Sequence, residues 1–287
     1  MAQVQNFYNK AKDFIKDKSY NPNKAQGALI HPFRCAVTGF SGSGKGNTIC
    51  NIINISGCFR KITLVAMNAK EEPLYRFLAA KLGDKLEILE DVDDLPHLQG
   101  SLKTKASSGK EKVEKKKKKK IEESSGSESS GSESESDSSS KDKKSEKEDS
   151  SSDDEGVSFE KKVGKQQLII FDDVLFEGKD MLRKISNYFV QGRHHNLSCI
   201  ITAQNWYALP RTVRLNCNYI IITKLNSLRD VKAIISDASL GVKPELLVKI
   251  YETATDAYGN FLLIDLVDPD PTHRFRKGFA EAIIPPK

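Results

Sequence analysis

The stretch from Ser101 to Glu160 sets the strongest limit on what this chain can fold into. Of its 60 residues, 19 are Ser, 14 are Lys and 16 are Asp or Glu. Only Leu102, Ala106, Val113, Ile121, Val157 and Phe159 are apolar. So little apolar surface cannot offset the conformational entropy of ordering the segment, which is therefore expected to be disordered. The 287-residue chain then divides into an N-terminal extension over 1–31, a first globular part over 32–100, the insert over 101–164 and a second globular part over 165–287. The 227 residues outside 101–160 hold nearly all the apolar content, enough for one core. They carry 31 Lys and Arg against 23 Asp and Glu, a mild bias toward polyanionic partners. Within the insert the charge is separated, net +8 over 101–120 and net −10 over 121–160. Lys115 to Lys120 suit non-specific contact with DNA phosphates or a localisation signal. The acidic half, whose many Ser-acid pairs suit acid-directed kinases, can fold back on the basic half. Equally, all these charges can serve only to keep a loop solvated.

Several classes are excluded. No apolar run approaches 18 residues, so no transmembrane helix is expected. The opening MAQVQNFYNKAKDF has no apolar core of the signal-peptide kind, and secretion is not expected. Cys35, Cys50, Cys58, Cys199 and Cys217 are odd in number, scattered and without a C-x-x-C pair, which favours a reducing compartment over a disulfide or zinc framework.

Both globular parts alternate strand and helix patterns. Arg34 to Gly39 is an apolar run closed by glycine, followed by a Gly-rich turn and a helix-length stretch to about Ser56. Ile62 to Met67 reads as a strand. The next stretch, PLYRFLAAKLG, reads as a helix with Leu74, Phe77, Leu78 and Leu82 on one face and Gly83 as its stop. LEILEDV is a short strand before the insert. Beyond the insert come the strand Gln167 to Phe171, a helix burying Met181, Leu182, Ile185, Tyr188 and Phe189, and the strands LSCIITAQ and NYIIITKL. Helices near 228–236 and 245–257 and the strand NFLLIDL complete the pattern. Strands apolar on both faces and spaced by helices predict an α/β fold, a mainly parallel sheet with helices on both faces. Both parts then form one domain interrupted by a long loop.

Gly39-Phe40-Ser41-Gly42-Ser43-Gly44-Lys45 lies between a strand and a helix. Backbone amides in such a loop cradle phosphate oxygens at a helix N-terminus, and Lys45 is placed to reach the β- and γ-phosphates. The expected contact set is Gly39, Phe40, Ser41, Gly42, Ser43, Gly44, Lys45, Gly46, Asn47 and Thr48. One position departs from the pattern. The residue after the lysine is ordinarily Ser or Thr, whose hydroxyl ligates Mg²⁺, and here it is Gly46. Thr48 lies about 200° further round the helix and cannot take that place. ATP is then expected to bind with hydrolysis slowed, and Gly46→Thr is expected to raise turnover. Leu168-Ile169-Ile170-Phe171-Asp172-Asp173 puts two acids at the carboxyl end of a strand, where ligands bind in open α/β sheets. Asp172 is read as the Mg²⁺ shell acid and Asp173 as the group orienting the attacking water. Gln204, at the end of LSCIITAQ, is placed to meet a γ-phosphate or that water.

HPFRCAVTGFSGSGKG, LIIFDDV, FVQGRHHNLSCIITAQ and LPRTVRLNCNYIII stand in the order found in poxvirus-type genome-packaging ATPases, and the chain resembles that family of the FtsK–HerA group of P-loop motors. The resemblance covers both globular parts to about Lys224. It implies a RecA-like Mg²⁺-dependent ATPase that forms a homo-oligomeric ring and drives viral double-stranded DNA into a capsid. It also implies work at cytoplasmic assembly sites beside capsid or membrane-associated packaging components, with association with the virion. Arg193 matches the family's G-R-H arginine and is expected near the catalytic edge, acting on a neighbouring subunit's nucleotide, with Arg211 and Arg214 as other candidates. Two other readings stay open: a nucleotide- or DNA-binding structural subunit disabled at Gly46, and a small-molecule kinase, for which no Arg-rich lid is found. His194 and His195, being adjacent, point apart and suit structural roles. Trp206 and Tyr207 either touch DNA or pack on the core.

Overall fold

The computed structural model describes residues 29–98, 166–174, 178–238 and 240–284. The readings made for the insert and for the extension through residue 28 lie outside the described residues. Among the described residues nine strands follow in chain order: β1 Arg34–Thr38, β2 Phe59–Val65, β3 Leu86–Leu89, β4 Gln166–Phe171, β5 Leu197–Ala203, β6 Tyr219–Ile222, β7 Leu262–Asp265, β8 Phe275–Lys277 and β9 Glu281–Ala282. The helices are α1 Lys45–Ser56, α2 Pro73–Leu82, α3 Lys179–Gln191, α4 Arg211–Asn216, α5 Leu228–Ala238 and α6 Pro244–Ala254.

All nine strands join one sheet in the order β3-β2-β4-β5-β1-β6-β7-β8-β9. The first six are parallel, and β7, β8 and β9 extend the sheet antiparallel. Strands from the two globular parts interleave: β1 lies between β5 and β6, and β4 lies between β2 and β5. The described residues accordingly belong to one compact unit assembled from both sides of residues 100–156.

Alternation along each strand explains why the strands read apolar throughout. In β1, Cys35 and Val37 face one layer with Ile49, Ile52 and Ile53 of α1 and Tyr75, Leu78 and Leu82 of α2. Ala36 faces the other with Ile185 and Phe189 of α3, Val231 and Ile234 of α5 and Leu247 and Ile250 of α6. Helices thus cover both faces, and the fold is α/β with a mainly parallel sheet. The strand that Gln204 follows lies between the glycine-loop strand and the Asp-pair strand.

One expected packing face is corrected, and two strands go unannounced by the sequence. On α2 the buried face is Tyr75, Leu78 and Leu82, while Phe77 is 43% exposed. The pattern of Leu and Phe places the stripe one edge too far round, because a tyrosine with a bonded hydroxyl buries as readily as a leucine. At the other end of the chain, β8 and β9 are short and charged, FRK and EA, and carry no apolar alternation to announce them.

Candidate nucleotide site

Parallel strands bring their carboxyl ends to one edge, and three adjacent ends carry the predicted groups. The loop after β1 is pinned on both sides: the Gly39 amide donates to the Ala203 carbonyl at 3.1 Å and the Phe40 amide to the Lys224 carbonyl at 3.0 Å. Gly39 sits so tightly that a Cβ there would fall 1.8 Å from Thr223 Oγ1. Gly42 and Gly44 take left-handed backbone conformations, φ 79° and 93°, which glycine adopts without the penalty of a side chain. Gly44 caps α1, so the amides that open the helix have no intrahelical carbonyl and remain available to an anion. Lys45 Nζ donates to the carbonyl oxygens of Gly39 at 2.9 Å and Phe40 at 3.1 Å. Burial lowers its pKa, and the nearby charges of Asp172 and Asp173 oppose that.

Asp172 follows β4 directly, and its two carboxylate oxygens have different partners. Thr202 of β5 donates its hydroxyl to Oδ1 at 2.7 Å, and Tyr75 of α2 donates its hydroxyl to Oδ2 at 2.6 Å. The same Thr202 oxygen accepts from the Asp173 amide at 3.0 Å, so one hydroxyl on the intervening strand sets both acids. Asp173 is left-handed, φ 55°, a conformation Asp tolerates better than most residues and one that turns the chain out of the strand. Burial, then the charge of Asp172, pushes the Tyr75 phenol well above its usual range, so it remains a donor.

These groups meet at a cleft of about 560 Å³. Ser41, Gly42, Gly44, Lys45, Gly46 and Asn47 line it together with Asp172 and Asp173. Met67, Asn68, Glu72 and Tyr75 also line it, as does Tyr258, which is 87% exposed. The donor set suits a magnesium nucleotide: left-handed glycines and free helix-start amides for phosphates, an ammonium beside them, and a carboxylate fixed by two hydroxyls.

The structure moves some expected contacts away from the cleft. The Ser43 amide donates to Phe40 O and its buried hydroxyl pairs with Thr223 Oγ1 at 2.7 Å. Thr48 is buried with its hydroxyl on the Gly44 carbonyl at 3.0 Å, consistent with its place on the far side of α1. Gly39 and Phe40 act from behind, through the carbonyls that hold Lys45. Gln204 is exposed one residue beyond β5, at the same edge as the Asp pair.

Arg193 is not near that edge. It belongs to the 3-10 turn Gly192–His195 that leads into β5, and a residue preceding a parallel strand stands at the amino edge. There it lines a separate cavity of about 270 Å³ with Arg34, His194 and Asn218. Arg214 is engaged by an ion pair with Asp237 and lies over the Trp206 and Tyr207 rings. Trp206 itself is fully buried and donates its indole N–H to Asp237 at 2.7 Å, while Tyr207 is exposed. Tyr75, Thr202, Thr223 and Tyr258 escape a reading of the sequence; each acts through the folding together of distant segments, and no local motif marks it.

No curated protein matches the chain. Among solved structures, the genome packaging NTPase B204 from Sulfolobus turreted icosahedral virus 2 in complex with AMP is 12% identical, with a TM-score of 0.45, covering 86% of this chain and 96% of that one. The DNA-packaging ATPase B204 from Sulfolobus turreted icosahedral virus is 14% identical, with a TM-score of 0.44, covering 82% and 93%. The cytoplasmic domain of the Thermomonospora curvata type VII secretion ATPase EccC is 12% identical, with a TM-score of 0.44, covering 88% of this chain and 25% of that one. Residues 142–267, a little under half of the chain, match the family model described as Poxvirus A32 protein, and over that stretch, which holds the Asp pair and Gln204 but not the glycine loop, the resemblance carried by the motifs is shown.

Proposed function

We propose that this chain is a Mg²⁺-dependent ATPase that moves viral double-stranded DNA into a capsid, working as a homo-oligomeric ring at cytoplasmic sites of virus assembly. One observation carries the reading: Lys45, which opens α1, and Asp172 and Asp173, which follow β4, lie far apart in sequence yet line one cleft with the glycine loop. Lys45 exchanges its two loop carbonyls for phosphate oxygens, a swap that keeps the ammonium hydrogen-bonded throughout. Asp172, with one donor on each oxygen, keeps lone pairs for a magnesium shell. Asp173 orients the attacking water, and Gln204 at the neighbouring strand end senses the γ-phosphate. Bound Mg²⁺ supplies charge neutralisation on the phosphoryl oxygens. Arg193, at the opposite edge, meets a nucleotide only in a neighbouring subunit. The globular domain comprises 32–100 and 165–287, with the insert emerging between them. Among the described residues no helix is long and apolar enough to cross a membrane.

Measuring ATP turnover with and without double-stranded DNA tests this reading. Turnover stimulated by DNA, and lost in Asp173→Asn while ATP still binds, is the expected result. Bound ATP with a basal rate that Asp173→Asn leaves unchanged would instead favour the structural-subunit reading that Gly46 raises.

A further inference from the structure

Gly46 removes from the loop the one side-chain hydroxyl that this kind of site ordinarily carries. Yet the space beside it is not open. A Cβ built on Gly46 would lie 3.4 Å from Leu74 Cδ1 and 3.9 Å from the Tyr75 hydroxyl, both on α2. A hydroxyl on residue 46 would therefore stand beside the hydroxyl of Tyr75. Tyr75 is also the donor to Asp172 Oδ2 at 2.6 Å, and the residue is only 2% exposed, in the buried layer that also holds Leu78 and, from α1, Ile49 and Ile52. Pro73 opens α2 and the Glu72 carbonyl receives the Tyr75 amide, so the helix start fixes the direction from which the phenol enters.

We propose that Tyr75 supplies from α2 the hydroxyl that Gly46 lacks, standing beside the start of α1 and holding Asp172 in the orientation that a magnesium nucleotide requires. Resting on the nucleotide-site reading, the inference makes Tyr75 a positioning residue acting through Asp172. Glycine at 46 is then the complement of the phenol rather than a defect, because a hydroxyl already stands beside that position. Gly46→Thr, which sequence alone marks as a gain, meets a hydroxyl already in place.

The test measures ATPγS affinity by calorimetry in Mg²⁺ and in EDTA for the full chain and three variants, with turnover and thermal melts alongside. Tyr75→Phe keeps the packed ring and removes only the hydroxyl. It is expected to reduce the magnesium-dependent gain in affinity by about 10–100-fold, the usual effect of losing a group that orients a metal ligand, with the EDTA affinity unchanged. Gly46→Ser in that background recovers most of the loss, while Gly46→Ser alone gains nothing. A magnesium response in Tyr75→Phe equal to wild type, or a double variant no better than Tyr75→Phe, overturns the inference. So does Gly46→Ser alone raising the magnesium-dependent affinity about tenfold or more, since a hydroxyl would then have been missing; this arm decides the question even if Tyr75→Phe does not fold. A wild-type chain that binds no ATPγS overturns the nucleotide reading and the inference together, which separates the two failures.

Discussion

His31 shows how far a single residue's behaviour follows from where the fold puts it. The ring is fully buried, 4.9 Å from the Phe59 ring centroid and 5.2 Å from that of Phe33. Its two nitrogens face the Ser198 hydroxyl at 3.3 Å and the Cys58 sulfur at 3.2 Å. Burial pulls its pKa from the ordinary 6.5 down to about 4, and pushes the Cys58 thiol up to about 11, so the pair is neutral in the folded chain. Below pH 6.5 the unfolded chain binds a proton at this histidine that the folded chain refuses. The stability contributed by the neutral ring is complete above pH 6.5 and is lost as pH falls toward 4, by roughly 3 kcal/mol over the whole interval. Melting temperature followed from pH 7.5 to 4 should therefore fall less steeply for His31→Gln than for wild type, whatever the offset at neutral pH. Parallel profiles would mean that the ring is charged or solvated in the folded state. Sequence alone marks His31 only as a neighbour of the PFR motif. Its partners Cys58 and Ser198 lie 27 and 167 residues away, and nothing local announces them.

Helix α2 carries the same lesson one level up, and it also contributes Leu74 and Tyr75 to the lining of the cleft. Its limits were legible: Pro73 can open a helix at no hydrogen-bond cost, and Gly83 closes it by accepting the terminal turn's geometry. Its buried face was not, since Leu74, Phe77, Leu78 and Leu82 satisfy helical spacing as well as Tyr75, Leu78 and Leu82 do. The choice between the stripes depends on what β2, β4 and α1 present, and a Tyr counted as polar tips it wrongly. Phe77 points outward with Lys81 Nζ 5.7 Å from its ring centroid, whereas Leu78 is 1% exposed. Leu78→Ala should cost about 2–5 kcal/mol in chemical unfolding, and Phe77→Ala about 0.5 kcal/mol or less. Similar losses at both positions would place the stripe where the sequence pattern put it. The strands, by contrast, were read with few errors, because burial on both faces writes itself into the sequence as continuous apolar runs. The location of Arg193 was mistaken for a topological reason. Nearness in sequence to β5 says nothing about which end of the strand a residue meets, and in a parallel sheet the two ends are different surfaces.

At the scale of the whole molecule, the Lys- and Ser-rich segment interrupts a crossover that the topology needs in any case. β3 and β4 flank β2 on opposite sides and run parallel, so the chain between them must return from the carboxyl edge to the amino edge. For a six-residue strand that return is roughly 20 Å. Replacing 101–160 by about eight Gly and Ser residues, together with 99–100 and 161–165, gives ample reach at ~3.3 Å per residue. Shortening a loop also lowers rather than raises its closure entropy. The replaced variant should melt within a few degrees of wild type and bind ATPγS equally, because the residues facing the cleft lie elsewhere. Its affinity for DNA should change differently. If Lys115 to Lys120 neutralise phosphates, each phosphate no longer neutralised flattens the slope of log affinity against log salt by up to ~0.9. Changing only those six lysines to Ser should reproduce that flattening while the acidic half of the segment remains. A slope unchanged in both variants would confine the lysines to solubility or targeting. A flattening in the full replacement but not in the six-lysine variant would place the DNA-binding charges elsewhere in the segment. A collapse of the melt would show that the segment packs against the sheet.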